Sequence, residues 1–372
     1  MVEYKTLVTK IPISPDKKTK QKDYLKKGQL PIVDQGQGLI GGYTDDTGMA
    51  VNCDFPVIVF GDHTRAVKYI TFPFGAGADG IKVLQPKDSI LPLYLYYGTQ
   101  YIVAKMPNRG YARHYQYVEK EDLPIFALPE QKRIVARIEQ LFSELDAGVE
   151  TLKKTKAQLA VYRQAVLKEA FIRLAEKKPI REMSYLVTSG SRGWAQYYAD
   201  YGARFIRITD LKRDGIQLKN DSIQYVALPG KVEGKRSRLL GGDVLVSITA
   251  DLGSIALIPK NIDEAYINQH IAMIRFVNPS QGEFMAWYLR SEWGQKDLLK
   301  NKRGGGKLGL GLDDIRDTFV PVVSDEVAQQ IIAFIDDRLS ICNSIEQTVD
   351  TALQQAAAMR QSILKQAFEG GL

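Results

Sequence analysis

Residues that commonly ligate transition metals are scarce in this 372-residue chain: it has two cysteines and three histidines. Cys53 and Cys342 stand far apart, and His63, His114 and His270 are scattered. Neither a disulfide framework nor a zinc site of ordinary ligand spacing can be assembled from them. Such cysteine usage suits a reducing compartment, and a cytoplasmic location is expected. No apolar run approaches the ~18 residues of a membrane span, and no signal peptide is visible. A nucleotide-binding loop is missing too. Gly304-Gly-Gly-Lys307 lacks both the hydroxyl residue after the lysine and the glycine spacing that cradles phosphates. Asn278-Pro-Ser280 is not the Asn-Pro-Pro-aromatic element with which amino-methyltransferases grip a base. Glu3-Tyr-Lys5 and Glu233-Gly-Lys235 fit the Glu-x-Lys half of a nuclease metal site, but such triplets arise readily by chance. The chain reads as a binder that brings no catalytic chemistry, metal or cofactor of its own.

What it does contain is repetition. Glu130–Phe171 and Val327–Phe368 align without a gap at an offset of 197, with about a dozen identities, which marks an internal repeat. The identities cluster at the end, where Arg163-Gln164, Leu167-Lys168 and Ala170-Phe171 recur as Arg360-Gln361, Leu364-Lys365 and Ala367-Phe368. Both copies are helical in pattern. Ile134, Ile138, Leu141, Leu145, Val149, Leu152, Leu159 and Val166 recur mostly at alternating steps of four and three, a heptad seam. Ile331, Ile335, Cys342, Val349, Ala356 and Ile363 occupy the matching positions. Neither copy contains proline, and Gly148 is the only interior glycine. At ~1.5 Å per residue each helix should be roughly 60 Å long. A narrow apolar seam has to be buried, and two seams of equal length and period predict that the helices pack on each other as an antiparallel coiled coil.

The segments before the helices repeat more weakly. Leu30–Gln35 resembles Phe205–Asp210, Phe55–Asp62 resembles Asp243–Ala250, and Pro124 and Pro321 share the offset of 197. The expected architecture is α+β: two similar strand-rich globules separated by two long helices in a pseudo-twofold repeat. The segments are 1–128, 129–175, 176–322 and 323–372. Val57–Phe60, Val244–Ile248 and Ile271–Phe276 read as strands, and Gly36–Gly48, Gly75–Gly80 and Gly304–Gly311 as loops.

Charge adds a direction. The formal net charge is +7, and the excess is clustered. Lys17, Lys18, Lys20, Lys22, Lys26 and Lys27 form one run; Lys231, Lys235, Arg236 and Arg238 form another, followed by Lys300, Lys302, Arg303 and Lys307. Clustered lysine and arginine attract phosphates irrespective of base sequence. They also occur on faces that are merely solvated, so a coiled-coil interaction scaffold without sequence-specific DNA binding is the alternative reading.

The first helix opens with Pro129-Glu-Gln-Lys-Arg-Ile-Val-Ala-Arg-Ile-Glu139 and closes with Tyr162-Arg-Gln-Ala-Val-Leu-Lys-Glu-Ala-Phe171. It resembles the central conserved region of specificity subunits of type I restriction–modification systems. The second helix, ending Ile363-Leu-Lys-Gln-Ala-Phe-Glu-Gly370, resembles their C-terminal conserved region. Asp34–Tyr43, Gly61-Asp-His-Thr-Arg65 and Ile267-Asn-Gln-His270 resemble segments of their target-recognition domains. The resemblance implies a division of labour. Each globule would read one half of a split site on double-stranded DNA. The helix pair would set the spacing and dock two modification subunits, which bind S-adenosylmethionine and methylate adenine. Restriction subunits, with ATP and Mg, can join and cut. The first globule begins almost at Met1, with Tyr4–Leu7 matching Met183–Leu186, so the N-terminal extension of many family members is expected to be short or absent.

Under that resemblance, base reading falls to side chains able to make paired contacts, such as Arg to guanine and Asn or Gln to adenine. In the first globule these are Gln35, Gln37, Tyr43, His63, Thr64, Arg65, Arg109 and His114. In the second they are Arg192, Trp194, Arg207, Asp210, Lys212, Thr249, Asp251, Gln269, His270 and Arg303. Phosphate contacts are expected from Lys17, Lys18, Lys300, Lys302 and Lys307. Docking of partner subunits is expected from Arg163, Gln164 and Lys168 and from Arg360, Gln361 and Lys365.

Overall fold

The structure is a computed structural model. It describes residues 1–78, 80–107, 110, 112–190, 192–230, 234–300, 302 and 309–371. The chain forms two compact units, Met1–Leu152 with Asp350–Leu372, and Lys153–Val349. The two predicted helices span Leu128–Phe171 and Asp325–Glu369, and each unit contains a stretch of both.

In the first unit, the alternating or wholly apolar runs pair as an antiparallel sheet. Its strand order is Val8–Ile11, Ile81–Pro86, Val57–Gly61, Val67–Ile70. Val57–Gly61 lies inside the sheet and is buried throughout, which is why it reads as an unbroken apolar run. A second sheet orders Lys18–Thr19, Gly75–Gly77, Leu30–Val33 and Gly42–Thr44, with Gly75–Gly77 parallel to both its neighbours. The helix Pro92–Lys105 follows the first sheet, and Val2–Glu3 pairs with Asp122–Leu123, tying the start of the globule to its end.

The second unit uses the same plan. Ser184–Ser189, Ile271–Phe276, Val244–Ser247 and Ile255–Leu257 form an antiparallel sheet in that order. Tyr198–Ala199, Tyr225–Val226, Ala203–Ile206 and Ala265–Ile267 form the other, again with a parallel pair, Ala203–Ile206 beside Ala265–Ile267. Lys177–Pro179 pairs with Phe319–Pro321, the counterpart of the first unit's terminal tie.

Each core takes residues from both long helices. In the first unit Ile134, Val135, Ile138 and Phe142 cluster with Ile363, Leu364, Ala367 and Phe368. In the second, Val166, Leu167 and Phe171 cluster with Ala328, Ile332, Ile335 and Leu339. This accounts for the repeated Ala-Phe ending. Phe368 lies 4.9 Å from the Tyr94 ring and 5.3 Å from that of Tyr101, whereas Phe171 lies 5.6 Å from Phe284 and 5.4 Å from Tyr288. Both phenylalanines are anchors that seat a helix end on a globule.

The docking assignment of Arg163 is corrected by this packing. Arg163, only 12% exposed, donates from Nη2 to Asn343 Oδ1 at 2.7 Å and to Glu346 Oε2 at 2.8 Å. Arg360 donates to Asp146 Oδ1 at 2.7 Å and stacks over Phe142 at 4.1 Å. The guanidiniums clamp one helix segment to the other within each unit. Gln164, Lys168, Gln361 and Lys365 remain exposed. Cys342 is buried on the seam, as expected of a small apolar side chain.

Candidate nucleic-acid interface

The globule loops are held by polar anchors. In the first unit, Asp34 ends the strand Leu30–Val33 and organises the glycine-rich turn after it. Its Oδ1 accepts the Gly36 amide at 2.8 Å. Lys68 is 4% exposed, donates to the Asp34 carbonyl at 2.7 Å, and stands 3.6 Å from its carboxylate. Burial pulls the Lys68 ammonium below the usual lysine range, with Asp34 opposing that shift. Burial and the neighbouring Asp34 carboxylate push the Tyr24 hydroxyl up to about 12. These groups fix the backbone of a turn whose tip residues Gln37, Leu39 and Ile40 are exposed.

Beside this turn lies the hairpin loop 61–66. Thr64 Oγ1 donates to the Gln35 carbonyl, and Gln37 Nε2 reaches the Thr64 carbonyl at 3.4 Å. Only glycine fits at position 61, where a Cβ would come within 2.4 Å of Thr64 Oγ1 and 3.0 Å of the Gln35 carbonyl. His63 Nδ1 contacts the Ala112 carbonyl at 3.2 Å. Arg65 adopts a positive φ of 60° and reaches the Met106 carbonyl at 3.4 Å. Gln35, Gln37, His63, Thr64 and Arg65 are thereby brought together. Tyr43 is half-buried on the strand Gly42–Thr44, where it pairs with Pro31.

His114 does not join them. It is 0% exposed, and its Nδ1 contacts the Asp62 carbonyl at 2.9 Å, so its assignment to base reading is corrected: it is a core residue. Asp62, also buried, accepts the Tyr115 amide at 2.8 Å and stands 3.4 Å from Lys82.

In the second unit, Trp194 is 6% exposed, stacked on Phe205 at 5.6 Å and edge-on to Tyr266 at 5.1 Å. Asp210, equally buried, accepts the Arg207 amide at 2.8 Å and holds its guanidinium at 3.3 Å. Both assignments to base reading are corrected on the same ground: buried side chains shape the surface without touching a ligand. Arg207 also donates to the Ser222 carbonyl at 2.8 Å, whereas Arg192 is exposed and Lys212 half-buried.

A second cluster forms at the end of the central sheet. Thr249 follows the strand Val244–Ser247, and Gln269 and His270 precede the strand Ile271–Phe276. Thr249 Oγ1 and His270 Nδ1 are 2.7 Å apart, and Gln269 Nε2 is 3.0 Å from His270 Nε2. Nearby, Arg213 Nε donates to Asp251 Oδ2 at 2.9 Å, and this guanidinium holds the Asp251 carboxyl below the usual carboxylate range. That pair borders a cleft of about 410 Å³ shared with Arg290, Gln295 and Lys302. Arg290 is half-buried, and burial lowers its pKa from the ordinary arginine value. Lys300 and Lys302 are exposed. Lys17 donates to the Gly48 carbonyl, and Lys18 is half-buried in its strand. Arg109, Arg303 and Lys307 lie outside the described residues, as does Glu233.

Sequence reasoning passed over Asp34, Lys68, Arg213 and Arg290. The signal was there for Lys68, a lone charge in the run Val67-Lys-Tyr-Ile70. Nothing in the sequence links Arg213 to Asp251, 38 residues away. Lys5 pairs with Glu3 at 2.8 Å, an ordinary local ion pair. Among the described residues no group of three or more His, Cys, Asp or Glu could hold a metal ion, and no helix is long and apolar enough to cross a membrane.

Residues 195–355 match the family described as the type I restriction modification DNA specificity domain. The chain is 24% identical over 282 residues to the type I restriction enzyme EcoBI specificity subunit of Escherichia coli. That match takes in 67% of this chain and 58% of the relative, so the chain spans under two thirds of that relative's length. It is 22% identical over 351 residues to the EcoR124I/EcoR124II specificity subunit of the same organism, covering 88% of this chain and 83% of that one. Among solved structures, a chain of a type I R-M system superposes with a TM-score of 0.70 at 15% identity, covering 100% of this chain and 97% of the other. The HsdS subunit from Thermoanaerobacter tengcongensis gives a TM-score of 0.50 at 17% identity, covering 100% and 96%. At these identities the structures establish likeness of fold.

Proposed function

We propose that this chain, which carries a type I restriction modification DNA specificity domain in residues 195–355, is the non-catalytic specificity subunit of such a system. It reads a bipartite DNA site with one half per globule. The observation that carries this reading is the shared plan of the two globules. The second holds most of the family match, and the first has the same strand order in its antiparallel sheet and the same terminal tie. Two similar globules with different loop residues suit two different half-sites.

Gln35, Gln37, Tyr43, His63, Thr64, Arg65 and Arg109 serve the first half. Arg192, Arg207, Lys212, Thr249, Asp251 and Gln269 serve the second, with Arg303. Lys17, Lys18, Lys300, Lys302 and Lys307 contribute phosphate contacts. The long helices pair as an antiparallel coiled coil in a pseudo-twofold repeat that sets the half-site spacing, near one helical turn of about 34 Å. The same pair docks two modification subunits, which supply S-adenosylmethionine-dependent adenine methylation. Restriction subunits using ATP and Mg join that assembly, which works in the cytoplasm. With Arg163 turned inward, docking falls to Gln164, Lys168, Arg360, Gln361 and Lys365 and to exposed apolar side chains, Val161 at 71%, Ile341 at 54% and Met359 at 54%.

Co-expression with a modification subunit and mapping of methylated adenine tests the reading. A bipartite motif with a fixed unspecified gap is expected. A stable complex that leaves DNA unmethylated and binds without sequence preference would instead favour the scaffold.

A further inference from the structure

Both ring nitrogens of His270 are already engaged by protein. Nδ1 lies 2.7 Å from Thr249 Oγ1 and Nε2 lies 3.0 Å from Gln269 Nε2. With the carboxamide nitrogen of Gln269 turned toward it, Nε2 is the acceptor of that bond, and the matching tautomer places the ring proton on Nδ1, facing the Thr249 hydroxyl. In this arrangement the imidazole has no nitrogen left for a base. What it does is fix two neighbours that both retain exposed surface.

The backbone around the trio is held from three directions. The Ile248 amide donates to the His270 carbonyl at 2.9 Å, and the Leu310 amide to the Ile248 carbonyl at 3.0 Å. His270 N donates to Asn268 Oδ1 at 3.1 Å, closing the turn before the strand. Gly190 packs so tightly beneath it that a Cβ would lie 2.0 Å from the Ile267 carbonyl and 2.2 Å from that of Asn268. The turn is thus seated on the sheet end, and its side chains are oriented before any ligand arrives.

With one N–H given to His270, Gln269 retains its carbonyl oxygen and its other N–H. That acceptor–donor pair complements the N6 amino group and N7 of adenine in the major groove. Thr249, accepting from His270, keeps its own hydroxyl proton for an acceptor on the DNA. We propose that Gln269 reads an adenine in the second half-site and that His270 is its positioning residue, acting through the ring Nε2 without touching DNA. This rests on the specificity-subunit reading and deepens it by assigning a base and the residue that orients its reader.

The test compares methylation motifs of the full complex carrying four variants of this chain. Glutamine places a side-chain oxygen near the position of the imidazole Nε2, whereas asparagine reaches only the position of Nδ1. Gln269→Ala and His270→Asn are expected to relax the requirement for adenine at one and the same position of the second half by at least about fivefold. The first half should stay strict, which also shows that the chain has folded. His270→Gln should retain most of the requirement, and Gln269→Glu, now acceptor-only, should shift it towards cytosine. The inference is overturned if Gln269→Ala leaves every base of the second half as strictly required as before. It is equally overturned if the two His270 variants relax the motif alike, because the ring Nε2 is then not what matters. A wild-type complex giving no bipartite motif would bring down the specificity reading itself, and this inference with it.

Discussion

Arg163 holds Asn343 at 2.7 Å, and the residues 197 positions from each, Arg360 and Asp146, stand at the same 2.7 Å. The internal repeat is thus written into side-chain contacts as well as sequence, with each copy of the arginine bonded within its own unit. The surroundings differ. Arg163 bonds a carboxamide and gains a carboxylate, Glu346, and is nearly buried, whereas Arg360 is 44% exposed and lies over Phe142.

Unequal burial gives unequal cost. Arg163→Ala should destabilise the second unit by roughly 1–3 kcal/mol, because charged hydrogen bonds are lost and Glu346 loses its strongest partner. Arg360→Ala should cost at most about 1 kcal/mol, as is usual for a solvent-screened pair. Thermal melts of the two variants of the full chain check the order. Equal shifts would mean that the Glu346 contact adds nothing.

The terminal phenylalanines should be costly in both copies. Phe171 and Phe368 are each buried among aromatic rings, and truncation to alanine removes the contact and leaves a cavity. A loss of about 3–5 kcal/mol is expected for each. Denaturant titration that showed one of them to be silent would mean that its helix end is not seated by this residue.

Gln131 is a buried amide with a structural task. Its Oε1 accepts the Leu91 amide at 2.7 Å, and its Nε2 donates to the Phe126 carbonyl at 2.8 Å and the Ser89 carbonyl at 3.3 Å. Gln131→Leu fills the space but strands these backbone groups, at a cost of about 2–4 kcal/mol. The residue 197 positions on is Ala328, so the same substitution logic has no counterpart in the second unit. Chemical denaturation of Gln131→Leu against Gln131→Glu gives the comparison.

Arg65 combines a strained backbone with a proposed reading role. Its positive φ favours glycine, so Arg65→Gly should leave the first unit as stable as before or up to roughly 1 kcal/mol more stable. The same variant should relax preference within the first half-site and leave the second untouched. If the methylation motif is unchanged, Arg65 serves the turn and not the DNA.

Both thiols should react slowly. Burial pushes the Cys342 and Cys53 thiols above their ordinary range, so little thiolate is present near neutral pH. Cys342, buried on the seam, should resist alkylation in the folded chain, and the half-buried Cys53 should label first. Mass spectrometry after timed alkylation reads the order directly.

The long helices were legible because a heptad seam is a one-dimensional signal: the spacing of Ile134, Ile138, Leu141 and Leu145 states which face must be covered. The apolar strands Val57–Gly61, Val244–Ser247 and Ile271–Phe276 were legible for the same reason. Gly42–Thr44 and the buried Gly75–Gly77, expected as parts of glycine-rich loops, are instead strands of the second sheet, held by backbone pairing that an apolar pattern does not signal. The loop chemistry was only partly so. Asp34, Thr64 and Gln35 converge through a turn, and Arg213 meets Asp251 across 38 residues, contacts that no local pattern encodes.

By itself, then, the sequence determined the two long helices and their apolar seams, because periodicity and hydrophobicity act residue by residue along the chain. Tertiary structure decided which polar side chains face outward. His114, Trp194, Asp210 and Arg163 have the chemistry of ligand-binding residues, and the packing turned each of them inward. A polar side chain can satisfy its hydrogen bonds from solvent, a ligand or its own protein, and only the three-dimensional neighbourhood selects among these.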